Sequence, residues 1–288
     1  MIAAPGSIIL LGRSCDRVLQ YLCAYLVDQK VGVVFIDQDQ IGVGIKFDSS
    51  YWYLPGAVKL AHSDVAAVFN RSASFIPGAD YSKEQRHANC RLWGLLDYEY
   101  DVVLNRPASM MSNGSKPYQS YLVRNFGLKL PRYSCFANIE IDDVGEDVIF
   151  KSISSTRSIV KQFAASSKRH VTEPVLFQEH IKGDNIRVHV VLDKVVAILI
   201  KSDIVDYRYN DATVFKLYRL PMTIETACIS IAKFLGMGFC GIDLILAGED
   251  YYFLEANPAP GYNYFEEKIA GFPISESLAS VMLSGELL

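Results

Sequence analysis

The stretch that most constrains this chain runs from Gly241-Ile242-Asp243 to Phe253-Leu254-Glu255-Ala256-Asn257-Pro258. Two apolar segments flank Ala247-Gly248-Glu249 and predict antiparallel strands joined by a short turn. Side chains alternate across a strand, so Glu255 and Asn257 share a face. For Asp243 to join that face, the turn must hold an odd number of residues. The tripeptide Ala247-Gly248-Glu249 meets that requirement, with Gly248 supplying the αL position. Two carboxylates and an amide oxygen are hard ligands that suit Mg²⁺ beside nucleotide phosphates. The alternative is an ordinary hairpin with solvated carboxylates. The metal reading is favoured because Ala-Asn-Pro-Ala-Pro-Gly follows at once. It is also favoured because an acidic residue ending Tyr-Tyr-Phe-Leu is poorly placed for packing.

The 288 residues suit one large domain or two to three small lobes. Half are hydrophobic and 21% are charged, which supplies a sizeable core. The net charge of −4 argues against a general nucleic-acid binder. The six cysteines form no Cys-x-x-Cys pair and no zinc-finger spacing with histidine. They are expected to be buried, reduced thiols of a cytoplasmic protein. The N-terminus lacks the basic region of a signal peptide, and no apolar run is long enough to span a bilayer.

Residues 7–12 predict a buried strand, 15–28 a helix and 32–36 a second strand, which together make a βαβ unit. Its first turn, Gly12-Arg13-Ser14-Cys15-Asp16, lacks the dinucleotide-binding glycine pattern and is expected to be scaffold. Residues 64–69 and 101–104 predict further strands, followed in near repetition by Asn70-Arg71 and Asn105-Arg106-Pro107. A helix is expected over 83–98, and a boundary over 106–115, where Pro, Ser, Met, Asn and Gly cluster. Ser115 is the expected cap of a helix over 116–126 that Gly127 stops. Strands follow near 133–136, 147–151 and 174–178. A hairpin is expected over 186–192 and 194–200 around Asp193-Lys194. A helix over 223–235 is expected to be capped by Thr223 and ended by Gly236.

Glu255-Ala256-Asn257-Pro258 with upstream Gly241-Ile242-Asp243 resembles the C-terminal signature of ATP-grasp enzymes, the RimK-like branch in particular. The resemblance covers residues 111–270 by the order of several motifs, and 1–105 only as a βαβ lobe. It implies an α/β chain that is α+β in its C-terminal half. An N-terminal domain over 1–110 would precede an ATP-grasp domain over 111–288, with lobes about 111–181 and 182–288.

The resemblance also implies roles. Asp243, Glu255 and Asn257 would hold Mg²⁺, two ions in the usual arrangement, with Mn²⁺ as an alternative. Lys116 in Asn-Gly-Ser-Lys-Pro and Lys151, ending Val-Ile-Phe-Lys, would hold the ATP phosphates, whose negative charge needs nearby cations. Gln178, Glu179, His180 and Ile181 resemble the strand and hinge that hold adenine, and Asp184 would reach the ribose. Arg187, in Asp-Asn-Ile-Arg-Val-His, would face the transferred phosphate, where its planar fork stabilises developing charge. Arg208, in Asp206-Tyr207-Arg208, resembles the Asp-aromatic-Arg of ligases that modify ribosomal peptides and is a second candidate. The family's glycine-rich loop after the second lysine is here Ser152-Ile153-Ser154-Ser155-Thr156-Arg157-Ser158, without a glycine. Arg157 would add charge to the phosphates or bind a substrate carboxylate. Residues 258–266 resemble the loop bordering the acceptor pocket.

The implied activity is ATP-dependent ligation of a carboxylate to an amine or hydroxyl through an acylphosphate, releasing ADP and phosphate. The expected partners are a small-molecule or peptide carboxylate and its acceptor, with no nucleic acid or membrane. The alternatives are a small-molecule kinase on the same fold and an ATP-binding sensor without catalysis.

Overall fold

The computed structural model describes residues 6–72, 81–137, 139–141, 148–153, 160–162, 169–171, 174–201 and 214–285. Arg157 and Arg208 lie outside the described residues, as does most of the 152–158 loop.

The strand Ser7–Gly12 is buried at all its positions, as a central parallel strand must be. It lies between Val33–Asp37 and Val65–Asn70, and Val103–Leu104 completes a four-stranded parallel sheet. The connecting helix Arg17–Asp28 starts where the Asp16 carboxylate accepts from the Val18 and Leu19 N–H groups. Its Val18, Leu19, Leu22 and Leu26 are buried in one stripe. The helix Lys83–Tyr98 begins with a reciprocal capping box between Ser82 and Gln85. Between these elements a three-stranded meander, Lys46–Phe47, Tyr51–Leu54 and Val58–Ala61, sinks Trp52 into a core with Leu92 and Leu96.

The C-terminal half is antiparallel. Four strands run in the order Val160–Gln162, Val148–Ser152, Val175–Glu179, Tyr133–Phe136. Five run in the order Val214–Tyr218, Lys194–Lys201, Asp184–Val191, Phe239–Ala247, Asp250–Asn257. One face of the five-stranded sheet buries Ile186, Val188, Val190, Ile242 and Leu244 against the helix Met222–Phe234. On its other face Val191, Ile198, Ile200 and Phe239 join a core with the parallel sheet and the helix Ile274–Ser284. No described helix is long and apolar enough to cross a membrane.

Several local expectations change. The helix begins at Lys116 but ends at Val123, and Gly127, with φ +83°, lies in the turn beyond. Thr223 is not a cap, because the cap position falls on Pro221, whose side chain cannot accept a hydrogen bond. The middle hairpin pairs Val191 with Lys194, so its loop is Leu192-Asp193, with Leu192 at φ +54°. All six cysteines are free, but Cys15, Cys90 and Cys135 are exposed; only Cys228 and Cys240 are buried.

The acidic hairpin reaches the expected result by a different route. Ala247 pairs with Asp250, so the turn is Gly248-Glu249, an even number, with Gly248 at φ +66°. An even turn alone would set Asp243 and Glu255 out of phase. The register shifts after Asp243, so that Leu244 faces Phe253 while Asp243 faces Glu255. Leu254 is the extra residue of this β-bulge, and it restores the shared face.

The edge of the hairpin is closed from the helix Lys116–Val123. Gln119 accepts from the Ala256 N–H at 2.7 Å and donates to the Ala256 carbonyl at 2.8 Å. It is 1% exposed, so both backbone groups depend on it. Replacing Gln119 with Leu should lower unfolding stability by about 2–4 kcal/mol, because two buried backbone groups lose their partner. Urea denaturation at neutral pH reads this directly.

Candidate functional site

The site forms on the face of the five-stranded sheet that carries odd-numbered residues of Asp184–Val191. Arg187 pairs in register with Asp243, and Asp243 with Glu255; His189 pairs with Gly241, and Gly241 with Asn257. Two short rows therefore cross three adjacent strands. Arg187 Nε lies 2.9 Å from Asp243 Oδ1, and both side chains are largely buried. The missing side chain of Gly241 makes room for the guanidinium: a Cβ there would stand 2.6 Å from an Arg187 terminal nitrogen and 2.7 Å from Pro260 Cβ.

Lys116 reaches this face from the start of its helix, with Nζ 3.1 Å from Glu255 Oε2. Its backbone N–H donates to the Ile153 carbonyl at 2.9 Å, joining the helix to the end of the Lys151 strand. Lys151 is 8% exposed. Burial pushes the Glu255 carboxyl up, but Lys116 first, then Arg187 and Lys151, outweigh it and hold the carboxyl below its usual value. Three cations thus act on one carboxylate.

The chain brings Lys116, Lys151, Arg187, Asp243 and Glu255 into one electrostatic unit. Asn257 follows on the same face; its Oδ1 accepts from the Ala259 N–H at 2.9 Å, which leaves that oxygen a second lone pair. Gln178 shares the face of Lys151, since Leu176 and Gln178 pair with Lys151 and Ile149. Gln178 Nε2 and His180 Nδ1 are buried without a hydrogen-bond partner among the described residues. Such groups call for a ligand or an ordered water. The Glu179 N–H is committed to the Arg132 carbonyl at 2.8 Å. Its carboxylate accepts from the Arg132 N–H groups, which hold it below its usual pKa. Ile181 is half-buried at the hinge. Asp184 is exposed, and alternation sets it on the opposite face from Arg187, with Ile186 and Val188. Asn185 occupies the site face instead.

Among the described residues no group of three or more His, Cys, Asp or Glu is arranged to hold a metal ion by itself. The available donors are two carboxylates directly opposite each other and a neighbouring amide. They are all oxygens, which fits a hard divalent cation and not a soft one.

Four residues outside the sequence expectations support this face: Gln119, Asn105, Arg71 and His189. His189 is fully buried, stacked on Phe239 and edge-on to Phe265 and Phe272. Its Nε2 lies 3.2 Å from the Gly261 carbonyl, an acceptor, so Nε2 carries the proton. Only the Asn70-Arg71 and Asn105-Arg106 repetition signalled any of these four in the sequence.

Residues 116–261, just over half of the chain, match the family described as the ATP-grasp domain. The chain belongs to the ATP-grasp family. It is 25% identical over 189 residues to human (Homo sapiens) N-acetylaspartylglutamate synthase A, covering 57% of this chain and 48% of that one. It is 26% identical over 185 residues to a probable alpha-L-glutamate ligase of Shewanella loihica, covering 57% and 62%. The chain thus spans about half to three fifths of the length of these curated relatives. Its fold is similar to that of the ATP-grasp ligase PsnB complexed with a phosphomimetic variant of minimal precursor, Mg and ADP. The TM-score is 0.75 at 22% identity, over 97% of this chain and 99% of that one.

Burial, and then the nearby Arg187 charge, lower the His189 pKa to about 3. The unfolded chain takes up this proton near pH 6.5 while the folded chain does not, so stability falls as pH drops through that window. Its cost is at most about 1.4 kcal/mol per pH unit between those values. Urea unfolding at pH 7, 6 and 5 should show this slope, and His189→Phe, which fits the aromatic cage, should flatten it.

Proposed function

We propose that this chain is an ATP-dependent ligase that joins a carboxylate to an amine or hydroxyl. The observation that carries the reading is the pairing of Lys116 with Glu255 and of Arg187 with Asp243 on one buried face. That face carries cations for phosphate and hard anionic donors for Mg²⁺ together, as nucleotide chemistry requires.

In this reading residues 1–110 form an N-terminal α/β domain and 111–288 the ATP-grasp domain. Asp243, Glu255 and Asn257 hold Mg²⁺, with room in the donor count for a second ion or for Mn²⁺. The bound metal neutralises phosphate charge and orients the terminal phosphate. Lys116 and Lys151 hold the phosphates as point charges. Gln178 and His180 offer buried polar atoms, and the backbone at His180 and Ile181 offers the adenine edge its bonds. Asp184 is set aside as the ribose contact in favour of Asn185, which shares the Arg187 face. Arg208 remains a candidate for substrate carboxylate.

The reaction proceeds by attack of a substrate carboxylate on the γ-phosphorus, which yields ADP and an acylphosphate. Arg187, directly opposite Asp243, stabilises the oxygen charge that develops. An amine or hydroxyl then displaces phosphate. No protein nucleophile is required. The substrate class is an amino acid or peptide carboxylate, in keeping with the probable alpha-L-glutamate ligase relative and with the precursor-bound ATP-grasp ligase of similar fold.

The test pairs wild type with Glu255→Ala. Calorimetry should show Mg²⁺-dependent ATP binding that weakens by at least about 10-fold in the variant. ADP release from wild type should rise when glutamate, aspartate or short acidic peptides are added with amine acceptors, and the product should be an amide or ester with free phosphate. A stable phosphomonoester would show a kinase instead, and ATP binding without any turnover would favour a sensor.

A further inference from the structure

The segment after Asn257 is held by side chains in an unusual way. Four consecutive backbone carbonyls each meet a donor from another part of the chain. The Pro258 carbonyl accepts from Asn105 Nδ2. The Ala259 and Pro260 carbonyls accept from the two terminal nitrogens of Arg71, at 3.3 Å and 3.0 Å. The Gly261 carbonyl accepts from His189 Nε2. Pro258 and Pro260 have no N–H, so a strand ladder cannot continue here, and side chains replace it.

Arg71 is itself fixed. Its Nε donates to Asp16 at 2.8 Å, and its side chain is 7% exposed. Asn105 is held by the Asn70 amide at 2.7 Å through its own carbonyl, and it also brackets Phe239. Both residues lie just beyond the C-terminal ends of parallel strands, Val65–Asn70 and Val103–Leu104. The repeated Asn-Arg thus divides its work. Asn70 supports Asn105, and Arg71 grips the loop. Arg106 instead binds the Leu96, Asp97, Tyr100 and Asp101 carbonyls around the end of the Lys83–Tyr98 helix.

We propose that Arg71 is a positioning residue for the nucleotide–metal site, acting through Ala259 on Asn257. The inference rests on the ATP and Mg²⁺ reading above. Ala259 is held at both ends: its carbonyl by Arg71 and its N–H by Asn257 Oδ1. A planar fork spanning two successive carbonyls fixes that peptide more firmly than a point charge can. The Asn257 amide is thereby aimed along the face it shares with Glu255. Groups that orient a metal ligand act on affinity although they touch neither metal nor substrate.

The experiment compares Arg71→Met, which keeps the stem and loses the fork, with Arg71→Lys and with Asp16→Asn. Asn keeps the helix cap through its amide oxygen but turns a donor toward the Arg71 Nε, so it loosens the anchor of the fork while leaving the fork itself. Two quantities are measured: amide hydrogen exchange of Ala259 in the ligand-free chain, and ATP affinity in Mg²⁺ and in EDTA. In Arg71→Met, Ala259 should exchange at least about 10-fold faster while Phe253 keeps its protection. ATP affinity in Mg²⁺ should fall about 10-fold, with affinity in EDTA unchanged. Arg71→Lys and Asp16→Asn should both fall between Arg71→Met and wild type. Should Arg71→Met fail to fold, Arg71→Lys carries the same comparison. Unchanged Ala259 exchange overturns the proposal, and so does an equal loss of both affinities, which marks a merely structural residue. A wild type that binds ATP no better in Mg²⁺ than in EDTA sinks the nucleotide reading and the role with it, while the exchange data still report whether Arg71 holds the loop.

Discussion

The whole site depends on one extra residue in one strand. Strand side chains have a period of two, so a hairpin with an even turn alternates faces on its two arms in a fixed relation. Gly248-Glu249 sets that relation, and the bulge at Leu254 reverses it from Asp243 onward. Below the bulge, Leu244 and Phe253 stay in the apolar core beneath the helix Met222–Phe234. Above it, Asp243 and Glu255 emerge together on the opposite side. The bulge therefore sets both carboxylates on one face while Ile242 and Ala256, beyond it, stay in the core on the other. Bulges are enriched beside active sites for this reason.

Once both carboxylates lie on one half-buried face, their charge must be compensated. An isolated buried carboxylate would protonate. Here Arg187 comes from the neighbouring strand and Lys116 from a helix start, while Lys151 adds its field from a different sheet. Buried ion pairs contribute little net stability, because desolvation offsets their attraction. Their presence at the meeting of three elements is better explained by what they offer a ligand. Under the proposed function each pair would divide into a cation for phosphate oxygen and an anion for a metal, so the contacts that neutralise the face would also suit a metal–phosphate complex.

Much of this was legible in the sequence, and the parts that were not share a cause. The Lys83–Tyr98 helix, the βαβ unit and the acidic hairpin follow from periodicity and caps. The shared face of Asp243 and Glu255 was anticipated, but from a three-residue turn. A bulge leaves no composition signal, because Leu254 looks like any strand residue. The cap expected at Thr223 failed because Pro221 already starts the helix. Spacing offers Asp184 to the ribose, and strand alternation sets it on the face opposite Arg187. Gln119, Arg71 and Asn105 went unnoticed as parts of the site because each acts across a long sequence separation on a backbone group. Such partners are visible only once the fold brings them together.

The parallel sheet gains a purpose from these long-range contacts. Its strand ends point their loops at the segment following Asn257, where open α/β sheets commonly present functional groups. In this chain those loops present Asn105 and Arg71 to protein carbonyls. The core formed by Ile8, Leu10, Phe69, Phe239 and Tyr262 spans both regions, so the strands that carry the donors and the loop they hold pack on one core. In the proposed arrangement the orientation of Asn257 comes from the N-terminal sheet, while the charge around Glu255 comes from Lys116, Arg187 and Lys151. A site whose geometry and electrostatics have separate origins lets one vary while the other stays fixed. Under the proposed function, the loop after Asn257 and the lysines at positions 116 and 151 need not change together, and divergence in substrate is expected first in the residues beyond Gly261.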